Sequence, residues 1–259
     1  MTQVSTTAVM DWLNGTLQPE RFRDYCPNGL QVQGNDTVSH IVLGVTASQA
    51  LLERAVALQA QAVLVHHGWF WKNEDPCIRG MKRRRLALAL QHGLNVLAYH
   101  LPLDAHPELG NNAQLARVLG FVPELDANGV PRRCGPDDLV WLGSPPSGID
   151  TLGKLARHVG HTLNRPPQVI GDDHRAVQRI AWCTGAAQGM IDAAVAAGAD
   201  AYLTGEISEP TVHTAREMDV GFIGAGHHAT ERYGVQALGA ALADALGVQV
   251  TFVDIDNPV

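Results

Sequence analysis

The most regular feature of the hydrophobic pattern is a repeated unit in which an alanine-rich helix lies between two short apolar runs. Residues 41–64 align without gaps on residues 180–203, at a constant offset of 139 positions. In each copy an apolar run is followed by small residues, a helical pattern and a second apolar run, which predicts a βαβ unit. Such alternation favours a parallel sheet with helices packed against it.

The internal match continues beyond this unit. Residues 95–104 align with residues 222–231 at an offset of 127 positions. The helices predicted after these segments end in the same dipeptide, Leu119-Gly120 in one copy and Leu246-Gly247 in the other. The pattern therefore predicts an α/β protein with two related lobes, each with a mixed or parallel sheet flanked by helices.

A segment rich in proline, glycine and charged residues separates the two copies. Residues 123–138 have the composition of a linker. We therefore expect a first α/β lobe over residues 1–122 and a second over residues 139–259. Intertwining of the two lobes is compatible with this division.

Polar residues with the chemistry of metal ligands follow the apolar runs. Imidazole and carboxylate groups gathered at strand ends are what a hydrolytic metal site requires. The residues at these positions are His66, His67, His100, Asp104, His227 and Glu231. His100 aligns with His227, and Asp104 aligns with Glu231. We therefore expect each lobe to contribute half of one site.

The adjacent residues His66 and His67 favour a centre with two ions. Consecutive residues of a strand point to opposite faces, but the strand is predicted to end here and Gly68 allows the chain to turn. Two neighbouring imidazoles can then each serve one ion of a pair about 3.5–4 Å apart. Nitrogen and oxygen ligands suit zinc, manganese or iron. The charge of two divalent ions favours a small anionic substrate.

The two aligned pairs of histidine and carboxylate are predicted to differ in local structure. Thr230 is expected to cap a helix that runs through Val235, with Glu231 in its first turn. In the other copy, Pro102 biases the preceding residue away from helix. We therefore expect a loop that presents Asp104 as a ligand.

Composition narrows the class of protein. The formal net charge of −7 argues against general nucleic-acid binding, which usually leaves a basic footprint. No apolar segment approaches the roughly 18 residues of a membrane span, so no membrane partner is expected. The four cysteines form no C-x-x-C pair, and the first residues lack the pattern of an export signal. A cytoplasmic location is therefore expected.

Five motifs together carry a resemblance to a known family over nearly the whole chain. They are DYCPNGLQVQG at 24–34, LVHHG at 64–68, YHLPLD at 99–104, LTGE at 203–206 and GHHATE at 226–231. With these motifs the chain resembles the Nif-three-like family, also called GTP cyclohydrolase I type 2 homologues or dinuclear metal centre hexameric proteins. It is similar to the short form, which lacks a domain inserted between the halves.

The resemblance implies a two-lobed α/β fold and a toroidal homohexamer whose metal sites face a central cavity. It implies two divalent ions per chain, with ligands at His66, His67, Asp104, His227 and Glu231. His100 matches a position that lines the site. The chain departs from the family pattern at residues 101–103, which are more apolar than the usual loop rich in threonine or asparagine.

The resemblance also implies a metal-dependent hydrolase, related to GTP cyclohydrolase, that acts on a nucleotide or a related small anion. A hydroxide bridging the two ions is the expected nucleophile, and His100 or Glu206 is expected to move protons. Nothing in the sequence specifies guanine, and no G-x-x-x-x-G-K-[ST] phosphate loop is present. Hydrolysis of phosphate esters suits the ligands equally. The alternative is a hexameric metal-binding scaffold that binds a partner without turnover.

Overall fold

The computed structural model describes residues 2–259. Within them the strands β1 to β14 span, in chain order, Val4–Ser5, Gly29–Val32, Thr37–Val38, His40–Thr46, Ala62–His67, Asn95–Ala98, Val122–Pro123, Arg133–Cys134, Val140–Ser144, Gln168–Ile170, Ile180–Trp182, Ala201–Thr204, Gly221–Gly224 and Gln249–Phe252. The helices α1 to α9 span Thr6–Leu17, Gln49–Ala57, Gly80–Gln91, Leu101–Ala105, Asn111–Leu119, Leu152–Leu163, Ile191–Ala196, Glu209–Glu217 and His227–Leu246.

These elements form two compact units. The first unit comprises the chain up to Gly110 together with Gly234–Asp256, and the second comprises Asn111–Tyr233 together with Asn257–Val259. Each unit thus contains a segment from the other half of the sequence.

This division differs from the predicted lobes at 1–122 and 139–259. The reason is where two helices bury their apolar faces. In α5, Leu115 and Leu119 belong to the hydrophobic core of the second unit. In the C-terminal part of α9, Val235, Leu238 and Leu242 belong to a core of the first unit.

The first unit is built on a five-stranded sheet in the order β14-β4-β5-β6-β2. Strands β14, β4, β5 and β6 are parallel, and only β2 runs antiparallel to its neighbour. Alternate residues enter two separate cores: Leu64 packs with α1 and α9, whereas Val63 and Val65 pack with α2 and α3. Apolar residues on both faces are typical of a parallel sheet covered by helices on both sides.

The second unit is built on a sheet in the order β10-β13-β12-β11-β9-β7, with β8 also paired to β9. Strands β11, β12 and β13 are parallel, while β10 and β9 are antiparallel to their neighbours. The large side chains Trp141 and Trp182 lie in its core with those of α5 and α6. The predicted α/β class with mixed or parallel sheets is therefore confirmed.

The predicted repeat corresponds to real elements in both units. One copy forms β4, α2 and β5, and the other forms β11, α7 and β12, with the two strands of each copy parallel and adjacent. The helices α5 and α9 both end one residue before a glycine of positive φ, Gly120 and Gly247. A glycine at this position is a common way to end a helix.

The segment predicted as a linker is part of the second unit's structure. Within residues 123–138, Pro123 of β7 and both residues of β8 pair with β9. A further bridge joins Leu125 to Pro131. The prolines, glycines and charges of this segment therefore form the turns of short antiparallel strands at a sheet edge, where such residues are tolerated.

Among residues 2–259, no helix combines the length and the apolar character that crossing a bilayer requires.

Candidate metal-binding site

The adjacent histidines lie at the carboxyl end of β5 in the first unit. His66 is fully buried, and His67 is the last residue of the strand. Their ring centroids are 4.4 Å apart. Gly68 follows in a space that admits no side chain, because a Cβ there would lie 2.5 Å from the Cβ of Ala98. The predicted strand end is therefore confirmed, whereas glycine is required at position 68 for close packing, since its φ is not positive.

Each of these histidines is oriented by an oxygen atom at Nδ1. In His66, Nδ1 lies 3.0 Å from the carbonyl oxygen of Tyr99. Since a carbonyl can only accept, Nδ1 carries the proton and the lone pair of His66 is at Nε2. In His67, Nδ1 lies 3.2 Å from the Thr46 hydroxyl, on the neighbouring strand. Such hydrogen bonds set the tautomer and the ring orientation of metal-binding histidines.

His100 is held by a carboxylate that the sequence patterns did not assign. Its Nδ1 lies 2.7 Å from Oδ1 of Asp24, and its backbone N–H donates to Oδ1 of Asn28. Asn28 in turn donates to Oδ2 of Asp24 at 2.8 Å. Burial alone would raise the pKa of Asp24, but the hydrogen bonds from His100, Asn28 and Leu101 lower the pKa to about 2. Asp24 is therefore an ionised carboxylate that fixes His100.

The predicted loop around Asp104 is wrong: residues Leu101–Ala105 form the short helix α4. Pro102 lies in the first turn of α4, where its missing N–H costs no intrahelical hydrogen bond. The N–H of Leu101 donates to Oδ2 of Asp24, so this same carboxylate also satisfies the start of α4. The helix places Oδ1 of Asp104, which is buried, 3.5 Å from Nε2 of His66.

We call His66, His67, His100 and Asp104 the histidine cluster. The three histidines each offer a ring nitrogen, and these atoms lie within 4.8 Å of one another. Two aromatic side chains flank His100. The ring centroid of Trp71 lies 5.0 Å from that of His100, and the centroid of Tyr25 lies 6.4 Å away. The cluster thus combines convergent nitrogen donors with two aromatic neighbours.

Cys26 lies near Asp24 and His100, and its thiol is protonated at neutral pH in the metal-free protein. Burial, together with the charge of Asp24, raises the pKa of the Cys26 thiol to about 12. The four residues of the histidine cluster itself offer nitrogen and oxygen atoms.

The second unit contains its own group of His227, Glu231 and Glu206, which we call the His227 cluster. Nδ1 of His227 lies 2.7 Å from Oε1 of Glu206, which follows β12. Nε2 of His227 lies 3.1 Å from Oε2 of Glu231. His227 and Glu231 are four positions apart on α9, which places them on one face of the helix.

The electrostatics of the His227 cluster follow from its two carboxylates. Burial alone would lower the pKa of His227, but the hydrogen bonds and charges of Glu231 and Glu206 raise the pKa to about 9. At neutral pH, and without a metal ion, this imidazole is therefore protonated. A divalent ion that binds Nε2 replaces that proton.

Two glycines make room for the His227 cluster at the strand ends of the second unit. Gly185 follows β11 with φ of +70°, and a Cβ there would overlap the carboxylate of Glu231. Gly205 follows β12, and a Cβ there would lie 2.6 Å from the Cα of His227. The two loops are joined by a hydrogen bond from the N–H of Gly205 to the carbonyl of Gly185. Glycine is therefore a steric requirement at both positions.

The predicted role of Thr230 as an N-cap is wrong, because α9 begins three residues earlier, at His227. The first helical hydrogen bond runs from the N–H of Thr230 to the carbonyl of Gly226. The Thr230 hydroxyl instead accepts from the N–H of Gly185 and donates to the carbonyl of His227. Thr230 thus ties the loop that follows β11 to the start of α9.

The predicted ligands therefore occur in two groups, one in each unit. The structure brings His66, His67 and Asp104 together with His100, and it brings His227 and Glu231 together with Glu206. Sequence reasoning missed the supporting residues Asp24, Asn28 and Gly185. The first two stand in a recognisable motif at 24–34, but a motif does not show that its acid reaches a histidine 76 positions away.

The donors fit a divalent metal ion. Imidazoles that are oriented by hydrogen bonds and buried carboxylates suit zinc, manganese or iron. His66, His67 and Asp104 would serve as ligands in the histidine cluster, and His227 and Glu231 in the His227 cluster. The carboxylates Asp24 and Glu206 accept from the distal nitrogens of His100 and His227, an arrangement common around metal-binding histidines.

Relatives with solved structures share this fold over their full length. A protein called ybgI, described as of unknown function, is 47% identical with a TM-score of 0.91, and the match covers 99% of this chain and 100% of that one. TTHA1606 from Thermus thermophilus is 33% identical with a TM-score of 0.84, and the coverage is again 99% and 100%.

Matches to curated proteins also extend over nearly the whole of both chains. The "GTP cyclohydrolase 1 type 2 homolog" of Pseudomonas aeruginosa is 52% identical over 255 residues, which covers 98% of this chain and 99% of that protein. The protein of the same name from Vibrio cholerae is 50% identical over 252 residues, with coverages of 95% and 96%. The model of the Duf34/NIF3 (NGG1p interacting factor 3) family matches residues 4–258. The chain therefore belongs to the Duf34/NIF3 family.

Proposed function

We propose that the protein is a metal-dependent hydrolase that acts on a small anionic substrate of the nucleotide class. One observation carries the proposal: the ring nitrogens of His66, His67 and His100 converge within 4.8 Å. Each of these rings is oriented at Nδ1 by an oxygen acceptor or hydroxyl. Histidines with a purely structural role have no need to direct three ring nitrogens at one region. The arrangement therefore supports ion binding.

The proposed cofactor is two divalent ions per chain, as the family resemblance implies. When bound, such ions lower the pKa of a coordinated water so that it serves as a nucleophile near neutral pH. The histidine cluster contributes His66, His67 and Asp104 as ligands, and the His227 cluster contributes His227 and Glu231.

We assign proton transfer to His100. Its Nδ1–H donates to ionised Asp24, so its Nε2 is the atom that accepts or returns a proton. A histidine held by a buried carboxylate is a recurring general base, because the carboxylate fixes the tautomer and stabilises the imidazolium. Glu206 holds His227 in position, which supports a positioning role rather than proton transfer.

The name of the relatives favours GTP among nucleotide substrates. In that reaction water adds at C8 of the purine, the imidazole ring opens, and a second water releases C8 as formate. His100 would accept a proton from the attacking water and return it to the ring nitrogen that leaves. Hydrolysis of a phosphate ester requires the same water activation and the same proton acceptor, so both belong in the substrate screen.

The test combines metal analysis with turnover. Purified protein is assayed for bound metal by atomic emission and for turnover of GTP and a panel of phosphate esters. Wild type is compared with His67→Ala and Glu231→Gln, and the matched controls are His92→Ala and Glu217→Gln, which alter exposed residues. We expect about two ions per chain, loss of turnover in both site variants, and wild-type behaviour in both controls.

Other outcomes separate the alternatives. Bound ions with no turnover of any substrate would favour a metal-binding scaffold that serves a partner. No bound metal in any preparation, including one reconstituted with zinc, manganese or iron, would reject the proposal. Sedimentation of the same samples measures the assembly state, for which a homohexamer stays our prediction.

A further inference from the structure

A cavity in the second unit lies among residues that the proposed hydrolase does not use. It has a volume of about 510 Å³ and is formed by the C-terminal part of α6, the turn that follows it and β10. Two arginines, Arg157 and Arg165, line it together with Pro166, Pro167 and Val169. This volume is within the range of small-molecule sites in proteins, about 300–1,000 Å³.

The two arginines at this cavity lack protein partners within the described part of the chain, and they differ in exposure: Arg165 is half-buried and Arg157 is exposed. Within residues 2–259, neither Arg157 nor Arg165 forms a side-chain hydrogen bond or an ion pair. The Nε atom of Arg165 is buried and unsatisfied. Other arginines of the same unit are paired: Arg179 binds Glu124, and Arg175 binds Asp219. The terminal guanidinium nitrogens of Arg165 likewise have no acceptor within residues 2–259, and an anion in the cavity would supply one.

The surrounding backbone holds Arg165 in place. Asn164 follows the last residue of α6 in the left-handed conformation, and the N–H of Arg165 then donates to the carbonyl of Gly160 at 2.9 Å. A Cβ on Gly160 would lie 3.0 Å from Cδ of Pro167, so the proline turn packs tightly on the helix. Two consecutive prolines stiffen this wall of the cavity.

The side chain of Arg165 is also held by packing against Gly226. Its Nε would lie 2.7 Å from a Cβ on Gly226, the residue before α9, so the arginine stem packs directly on that glycine. A guanidinium that is immobilised before binding loses little conformational entropy when an anion arrives. Arg165 is therefore held in place before an anion arrives, and the exposed Arg157 adds a second positive charge at the cavity.

We propose that this cavity binds a small phosphorylated molecule. The phosphoryl group would contact the guanidinium groups of Arg157 and Arg165, whose planar donors match phosphate oxygens. The organic part would lie on Pro166, Pro167 and Val169. The site is independent of the proposed hydrolase chemistry, because neither arginine belongs to the histidine cluster or the His227 cluster.

The test measures binding of two probes by isothermal titration calorimetry at low ionic strength. Inorganic phosphate and guanosine monophosphate are each titrated into the full-length protein, once loaded with divalent metal and once after chelation. Binding in the cavity is expected in both states, whereas an anion bound to the metal ions disappears on chelation. The variants are Arg157→Gln and Arg165→Gln. The matched control is Arg216→Gln, which alters an exposed helical arginine of the same unit outside the cavity.

We expect the metal-independent Kd to rise about 10-fold in each cavity variant, since each loses a charge-assisted hydrogen bond, and to stay unchanged in Arg216→Gln. Tighter binding of guanosine monophosphate than of phosphate would establish an organic ligand, and equal binding would establish recognition of the phosphoryl group alone. Arg165 packs on the turn before His227, so Arg157→Gln decides the matter if Arg165→Gln does not fold. No saturable binding after chelation, or binding that Arg157→Gln leaves unchanged, would overturn the proposal.

Discussion

The two clusters occupy equivalent positions in the repeat but are prepared for metal in different ways. In the histidine cluster, the Nδ1 atoms of His66 and His100 donate to oxygen acceptors, which leaves Nε2 of His66 as a donor to an ion and Nε2 of His100 as the proposed proton acceptor. In the His227 cluster, one imidazole lies between Glu206 and Glu231, and the pKa of His227 is raised to about 9. The first cluster therefore has hydrogen-bond acceptors behind its rings, whereas the second holds a proton where an ion would bind.

This difference shows that two histidines at aligned positions of the repeat can have different charged neighbours. His100 aligns with His227, yet one is held by a single carboxylate behind it and the other has a carboxylate on each side. The surroundings come from segments outside the repeat, such as Asp24 in the first unit. Substitutions that act on one cluster alone can therefore test whether the two are prepared independently.

The largest effect is expected from Gly185→Ala, which should disrupt the His227 cluster. The new Cβ would overlap the Glu231 carboxylate, and alanine at φ of +70° is strained. We expect turnover and the affinity of the His227 cluster for its ion to fall about 100-fold or more and the free energy of unfolding to fall by about 1–3 kcal/mol. Metal analysis and urea unfolding measure the two effects.

Gly189→Ala is the matched control for this substitution. Gly189 follows in the same connection, but a Cβ added there would meet no atom within 4 Å, and its φ is not positive. We expect wild-type metal content and stability in this variant. If Gly185→Ala behaved like Gly189→Ala, the crowded packing of Glu231 against Gly185 would be wrong.

A smaller effect is expected from Asp24→Asn in the first unit. An amide cannot accept hydrogen bonds at both positions, so the support of His100 or of the Leu101 N–H is lost. Removal of such a supporting carboxylate should lower metal affinity or turnover by about 10–100-fold. Asp11→Asn, which alters an exposed aspartate, should have no effect.

The pKa of Asp24 gives this prediction a second measurement. Because its pKa is lowered from 3.8 to about 2, ionised Asp24 stabilises the folded state above pH 3.8, and this contribution is lost as the pH falls through 2. Urea unfolding of the wild type should therefore show an acid-dependent loss of stability that is smaller in Asp24→Asn. Identical acid profiles would mean that Asp24 does not hold His100 as described.

Much of the fold could be predicted because it depends on local periodicity. The apolar runs that became β4, β5, β11 and β12 are continuous because parallel strands are buried on both faces. The sequence could not predict that α5 packs in the second unit and the C-terminal part of α9 in the first, since this depends on which core each helix covers. The segment before β9 was misjudged as a linker because short strands at a sheet edge tolerate the same residues as a loop.

The part of the candidate site that could be predicted is the part that residue type and position after a buried strand indicate. Histidines and carboxylates after buried strands indicated both clusters, but the short helix α4 was missed. Pro102 disfavours a helix that continues from its N-terminal side, yet it is compatible with a helix that begins just before it. Asp24 and Gly185 act over long sequence separations or through steric fit, which no local pattern encodes.

The smallest effect is expected from Glu206→Gln, which tests the proton held in the His227 cluster. The pKa of His227 is raised from 6.5 to about 9 in the folded protein. In metal-free protein, the protonated His227 therefore contributes stability that is fully present below pH 6.5 and is lost as the pH rises through 9. Glu206→Gln removes one of the two carboxylates, so we expect a lower pKa and a smaller decline of stability between pH 6 and pH 10.

The pH dependence of metal binding should report the same proton on His227, because a bound ion displaces it. Below pH 9 an ion must displace it, so the affinity of the His227 cluster should rise about tenfold per pH unit as that value is approached. Calorimetry in two buffers of different ionisation enthalpy measures the proton released per ion, and Glu206→Gln should release less at pH 8. Glu209→Gln is the control, because Glu209 binds the exposed His213. Equal proton release in wild type and Glu206→Gln would show that the two clusters do not differ in this way.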